Sequence, residues 1–358
     1  MNRSDDSFIV HRTRPLNAEP TPTALMSGFF TPQHLFYIRS HGDTPELPAD
    51  HEVRLSGLVT SPLRFSLERL RREFPKRKVI ATLQCAGNRR AEMQDVRQTS
   101  GDPWRIGAVG TAEWTGVALA DVLAKAGIDE TRARHVAFRC ADVVDIDGEI
   151  APYEVSISVE RAMAGDVLVA WALNGEDLDP AHGAPMRIIV PGYAGARSAK
   201  WLLEIDVRDA PSDSPVQARD YKLFPPSVAR QDANWDEGVT IEQMPVTSAI
   251  CLPRPDEPIP PGRTTVKGYA MAYGRKVARV DVSTDGGRSW RQAGLMSERT
   301  TAAWTLWALD VDLPAGRHEL VVKAVDEAGQ SQPECLEGIW NFAGYLATAW
   351  HRVIVDVG

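Results

Sequence analysis

Over roughly the first 240 residues, short apolar runs alternate with polar turns, and no single period persists. Residues 79–83 form an apolar run of strand length, which predicts a buried strand. Residues 51–58 alternate apolar and polar positions and predict a strand, and residues 134–139 predict another short one. In residues 36–39, Phe36 and Ile38 would share one face of a short strand and Tyr37 and Arg39 the other. Ser66 is placed to cap a helix over residues 67–74, which Pro75 stops. Thr115 is placed to cap a second helix over residues 117–126, with Gly127 at its left-handed end, and Ser158 a third that ends near Gly165. Residues 91–102 are polar and predict a loop, and residues 1–27 a proline-rich irregular arm.

From about residue 240 the pattern changes. Prolines at 253, 255, 258, 260 and 261 mark a boundary. Beyond it, residues 278–283, 304–311 and 319–325 alternate, and Asp285-Gly286-Gly287 supplies a turn. Short strands at this spacing predict an immunoglobulin-like sandwich. The expected organisation is therefore an arm (1–27), a mixed α/β domain (28–243) and an all-β domain (244–358), an α+β chain overall. At 358 residues the chain is long enough for two cores.

Composition narrows the functions. The net charge of −8 argues against a nucleic-acid partner, so any anion site must be a local cluster of cations. No apolar run reaches membrane-spanning length. The first fifteen residues lack the apolar core of a secretory signal, so a cytoplasmic location is expected, or a periplasmic one if a leader was removed. The four cysteines form no C-x-x-C pair, which leaves no zinc ribbon or haem attachment motif.

The candidate chemistry lies after the 79–83 run, in Thr82-Leu83-Gln84-Cys85-Ala86-Gly87-Asn88-Arg89-Arg90. A cysteine at a strand end is rigidly held, as a metal ligand should be. Gly87 admits close approach, Asn88 offers an amide, and two arginines offer planar forks for oxyanions while favouring the thiolate. A second block runs from His182 to Trp201, where His182, Arg187 and Lys200 bracket an apolar strand, and Gly192 and Gly195 flank a loop able to cradle an anion.

The string Leu83 to Arg90 resembles the molybdenum-ligating segment of the sulfite oxidase family, and the likeness extends from about Gly28 to the C-terminus. The resemblance implies molybdenum held by Cys85 and by the dithiolene of a molybdopterin cofactor. It places Tyr37, Arg39, His41, Asp142, His182, Arg187, Ser198, Ala199 and Lys200 on the cofactor. It places Arg39, Arg90, Trp104 and Tyr221 at the substrate. It implies oxidation of sulfite to sulfate by oxygen-atom transfer from Mo(VI), with two electrons passed to oxygen or a separate cytochrome, and a homodimer joined through the C-terminal domain. Three positions depart from the family pattern. Ser40 replaces an Asn, Ser100-Gly101 stands where several animal enzymes carry Lys-Gly, and Ala343 stands where Trp-Asn-Leu-Arg-Gly-Val-Leu supplies an Arg. Losing that charge-assisted contact implies sulfite binding weaker by roughly 1.5–3 kcal/mol. The alternatives are a nitrate-reductase-like or other oxyanion enzyme, and a non-catalytic binding module. A cysteine hydrolase fits less well, since no His is placed by sequence to activate Cys85.

Overall fold

The strand ending at Cys85 belongs to one of two sheets whose ends meet around a single cleft. A computed structural model describes residues 7–358. The first sheet is antiparallel and runs Glu176–Asp177, Leu168–Leu173, Val109–Ala118, Lys76–Gln84, with Arg187–Ile189 also pairing with Leu168–Leu173. It brings Cys85 and Arg187 to the cleft. The second sheet runs Leu63–Ser66, Glu52–Gly57, Leu202–Arg208, His135–Ile146, Glu149–Ser158, with the Leu202–Arg208 and Glu52–Gly57 pair parallel. It carries Asp142, and Lys200 lies just ahead of its central strand.

Local sequence explains much of this. Ser66 accepts a hydrogen bond from the Arg69 N–H and starts the Leu67–Glu73 helix, and Ser158 does the same for Val159–Ala162 through Arg161. Gly127 ends the Leu119–Ala126 helix at φ +70°. Thr115, however, lies inside the Val109–Ala118 strand rather than at a cap, because that strand continues to the helix without a break. Residues 91–102 are not a loop throughout. Arg90–Val96 is a helix whose leading residue, Arg89, is left-handed at φ +67° and gives no side-chain cap. Nor do residues 36–39 form a strand: Ile38 makes one isolated bridge, to Ala18.

Its partner belongs to an ordered arm. Of the segment expected to be irregular, residues 1–6 lie outside the described residues. The rest forms a hairpin, Phe8–Thr13 with Leu16–Pro20, followed by the turn of helix Pro22–Leu25. Asn17, Ala18 and Glu19 are buried.

The C-terminal part is two four-stranded antiparallel sheets. One runs Thr247–Leu252, Gly262–Met271, Thr305–Leu313, Gly294–Leu295, and the other Arg291–Gln292, Val277–Ser283, Gly316–Asp326, His351–Val357. Their facing side chains, among them Val266, Val280, Trp307, Leu320 and Val355, make a core of their own. Tyr269, Met271, Tyr273 and Trp304 instead join the core of the preceding domain. Among the described residues no helix is long and apolar enough to cross a membrane.

Candidate functional site

Cys85 opens the site. Its backbone N–H donates to the Ala108 carbonyl (2.9 Å), so it is fixed at the end of its strand, and its Sγ accepts from the Gly87 N–H (3.4 Å). The thiol is buried. Burial pushes its pKa up, while Arg90, Arg39 and the Gly87 N–H pull it down. Burial prevails, so the expected bias to thiolate is reversed in the metal-free site. A metal that binds there displaces the proton.

Cys85 lines a cleft. Tyr37, Arg39, Ser40 and His41 line it from one segment, Asp142 from a second, and His182, Arg187, Ser198, Ala199 and Lys200 from a third. Tyr221 lines it as well. These residues lie as far apart in sequence as 37 and 221, so the fold gathers nearly all of the expected site.

Main-chain carbonyls and the Ser40 hydroxyl hold these cations, and among the described residues no carboxylate lies in salt-bridge contact with Arg39, Arg187 or Lys200. Arg187 donates from Nη1 to the His182 carbonyl and from Nη2 to the Ser198 carbonyl, both at 2.8 Å. Its Nε is buried with no hydrogen-bond partner among the described residues. Burial lowers its pKa to about 10, so it is charged at neutral pH. Lys200 donates from Nζ to the Ser40 hydroxyl (2.8 Å) and the Ala181 carbonyl (3.0 Å). Burial and then Arg187 pull Lys200 down, and burial raises Asp142. The His182 ring sits between Asp179 (2.8 Å) and the Phe36 carbonyl (3.2 Å). The Ser198 hydroxyl accepts from the Val190 N–H (3.0 Å), and the Ala199 carbonyl from the Ile188 N–H (2.8 Å), which fastens this wall to the Arg187–Ile189 strand.

A second group faces Tyr221. Arg39 bonds the Ser40 carbonyl (2.5 Å). Burial opposes its charge, but Tyr221, Cys85 and Asp220 outweigh that and hold it protonated. The Tyr221 hydroxyl is 2.9 Å from His41 Nε2, which is 3.4 Å from an Asp220 carboxylate oxygen. Burial and Arg39 lower the His41 pKa to about 4, so at neutral pH its contact with Asp220 is a hydrogen bond, not an ion pair. Gly42 lets the chain after His41 pass Val143, since a Cβ there would come within 2.1 Å of the Val143 carbonyl oxygen.

The structure places Arg90 and Trp104 behind this lining. Arg90 is buried, with Nε on the Ala343 carbonyl (2.9 Å) and Nη1 on the Asp102 carbonyl (3.0 Å). Trp104 is fully buried in the cluster that contains Cys85, edge-on to His11 at 4.8 Å, with its indole N–H unpartnered. Arg89 turns away altogether. It grips Glu92 with two nitrogens and the Ser248 and Ala349 carbonyls with a third, and so ties the cysteine loop to the C-terminal domain.

Sequence reading missed Asp220, Tyr153, Trp201 and Tyr345. Asp220 was open to view, one residue before Tyr221. Tyr153 and Trp201 line the cleft. Tyr345 is visible only in three dimensions, because it reaches the site from the far end of the chain.

The cleft fits a molybdopterin. It pairs a buried thiol with a set of unneutralised cations and the orphaned Arg187 Nε. Among the described residues no group of three or more His, Cys, Asp and Glu side chains converges on one point. A metal at Cys85 must then draw its other ligands from a non-protein group.

Comparison with known proteins agrees. Residues 41–216 match the oxidoreductase molybdopterin binding domain, and residues 239–358 the Mo-co oxidoreductase dimerisation domain. The sulfite oxidase of Gallus gallus is 45% identical over 354 residues, 96% of this chain and 76% of that protein. The chain belongs to the sulfite oxidase family. The sulfite oxidase of Arabidopsis thaliana is 40% identical, over 98% of this chain and 94% of its own. Among solved structures, the sulfane dehydrogenase SoxCD of Paracoccus pantotrophus superposes with a TM-score of 0.83 at 26% identity, covering all of this chain and 89% of that one. Family membership carries the molybdenum–pterin cofactor and the two-part architecture with it.

Proposed function

We propose that this chain oxidises sulfite to sulfate, working as a homodimer paired through its C-terminal domain. The observation that carries the reading is the cleft itself, where a buried Cys85 shares its lining with Arg39, Arg187 and Lys200. When bound, molybdenum with its pterin supplies the oxygen-atom transfer and takes up two electrons.

The polypeptide does the rest. Cys85 would ligate the metal. Arg187, Lys200, His182 and the 198–199 main chain would hold the pterin and its phosphate, with the Arg187 Nε free to donate. Tyr37 and Asp142 would flank the pterin. Arg39, kept charged, would hold and orient the sulfite oxyanion, and Arg90 would add positive potential from behind the wall. Tyr221 would offer its hydroxyl to the reacting oxygens, its position set by His41. Neutral His41 and ionised Asp220 give that hydroxyl a route for proton exchange. Trp104 would back the pocket without entering it.

The electrons would leave to oxygen or to a separate cytochrome. Anaerobic addition of sulfite to the oxidised protein tests the reading, followed through the visible thiolate-to-molybdenum absorption. Bleaching on mixing is expected. A band unmoved by sulfite in metal-replete protein would overturn it.

A further inference from the structure

Tyr345 lies behind the anion site, against Tyr221, Asp220 and Arg90. It is buried, and it lies in the segment between the Gly316–Asp326 and His351–Val357 strands. That segment reaches back into the first domain, where the Leu346 N–H donates to the Ala86 carbonyl (2.8 Å), one residue from Cys85. Asn341 clamps the tyrosine backbone on both sides. Its Oδ1 accepts from the Tyr345 N–H (2.9 Å) and its Nδ2 donates to the Tyr345 carbonyl (2.8 Å).

The side chain makes three contacts. Its ring stacks on that of Tyr221 at 5.4 Å and 19°. Its hydroxyl donates to Asp220 Oδ1 at 3.4 Å. The guanidinium of Arg90 lies 5.2 Å from its ring centroid. Asp220 in turn meets His41, and His41 meets the Tyr221 hydroxyl. One closed loop of contacts therefore runs Tyr345, Asp220, His41, Tyr221 and back to Tyr345.

Position 343, two residues earlier, is alanine and gives only its main-chain carbonyl to Arg90. The likeness to the family places an arginine at this position. In this chain the partner of Asp220 from that segment is the hydroxyl of Tyr345.

We propose that Tyr345 is a positioning residue for the substrate anion, fixing Asp220 by its hydroxyl and Tyr221 by its ring in place of a cation at position 343. It does not line the cleft, so it acts through those two residues and Arg90. The inference rests on the sulfite reading, and it assigns a specificity element within that site. An anion pocket closed by an aromatic hydroxyl carries one positive charge fewer than one closed by arginine.

Two variants of the holoenzyme separate the contacts. Tyr345→Phe keeps the ring stack and removes the hydroxyl, and Tyr345→Val removes both. Each is titrated with sulfate by calorimetry, which reads the anion site without turnover, and then assayed with sulfite for kcat and KM. Sulfate affinity should fall about tenfold in Tyr345→Phe, the weight of one charge-assisted hydrogen bond, and further in Tyr345→Val. The sulfite KM should rise in step while kcat changes less. Ala343→Arg, added to Tyr345→Val, should recover most of the lost affinity.

A purely structural tyrosine would lower the melting temperature and leave sulfate affinity within twofold of wild type. That result overturns the proposal, as does an Ala343→Arg addition that weakens binding further in folded protein. Wild-type protein that sulfite does not bleach would overturn the functional reading instead. Wild-type protein that sulfite bleaches but that binds no sulfate would overturn the proposal alone.

Discussion

Two opposing effects act on the Cys85 sulfur, and their balance sets what the bare site is. Burial holds the thiol protonated, whereas Arg39 and Arg90 would stabilise a thiolate. A metal cation resolves the conflict by supplying charge at the sulfur itself. Cys85→Ser keeps the shape and removes the soft donor, so sulfite-dependent bleaching and turnover should vanish, with molybdenum content by mass spectrometry reduced. Turnover retained in that variant would end the ligand assignment. Arg187→Lys is a subtler change. The fork that binds the His182 and Ser198 carbonyls becomes a single ammonium, and the orphaned Nε is lost. Pterin recovered from the purified variant should drop several-fold, while the far-ultraviolet circular dichroism stays unchanged. The limits of reading single residues also show here. Arg89 and Arg90 are neighbours of one chemical type, yet one ties two domains and the other backs the pocket. The left-handed φ of Arg89 separates them, and no spacing rule reports that angle.

Elements legible from sequence were those with their signals inside one window. The Ser66 and Ser158 caps, the Gly127 stop and the strand before Cys85 are of this kind. Those that escaped are defined by distant partners. The Arg90–Val96 helix starts from a strained backbone position instead of a capping side chain. The N-terminal hairpin looks irregular because its order comes from what it packs on. Glu19, fully buried, accepts from the Arg105 and Gly107 N–H groups at 2.6 Å each and pairs with His11 at 2.6 Å. Asn17 accepts from the Ser40 N–H at 2.8 Å. The hairpin thus braces both the Trp104 loop and the Arg39 segment. Glu19→Ala leaves the Arg105 and Gly107 N–H groups without their acceptor, the second of them buried, and should lower stability by about 1–3 kcal/mol, measured by chemical denaturation. Glu19→Gln, which keeps one acceptor, should lose less. If the Ala variant matches wild type in stability, the brace is idle.

At the scale of the whole molecule, the two domains are joined through polar groups as well as apolar ones, and that makes the junction sensitive to acid. Asn88 donates to the Tyr269 hydroxyl (3.0 Å), which donates to the Ile106 carbonyl (2.8 Å). Beside them His351, on the last strand, accepts the Ile250 N–H at Nδ1 (3.0 Å) and lies 3.6 Å from Glu92 through Nε2. Nδ1 is thus the acceptor and Nε2 carries the proton, so the native ring is neutral. Burial lowers its pKa to about 4, with Glu92 opposing and Arg89 assisting. The native state therefore binds this proton less readily than the unfolded chain, whose histidines titrate near 6.5. The contribution is complete above pH 6.5 and is lost as the pH falls towards 4. Between pH 7 and pH 5 the difference amounts to roughly 2 kcal/mol of unfolding free energy from this one ring. His351→Gln keeps an acceptor for the Ile250 N–H and does not titrate. Denaturation at the two pH values, for both proteins, isolates the term, because His41 titrates alike in each and cancels. Wild type should lose more stability than the variant over that interval, by about the stated amount. Equal losses would mean that the ring is already protonated at neutral pH and paired with Glu92, and that the junction is held by charge.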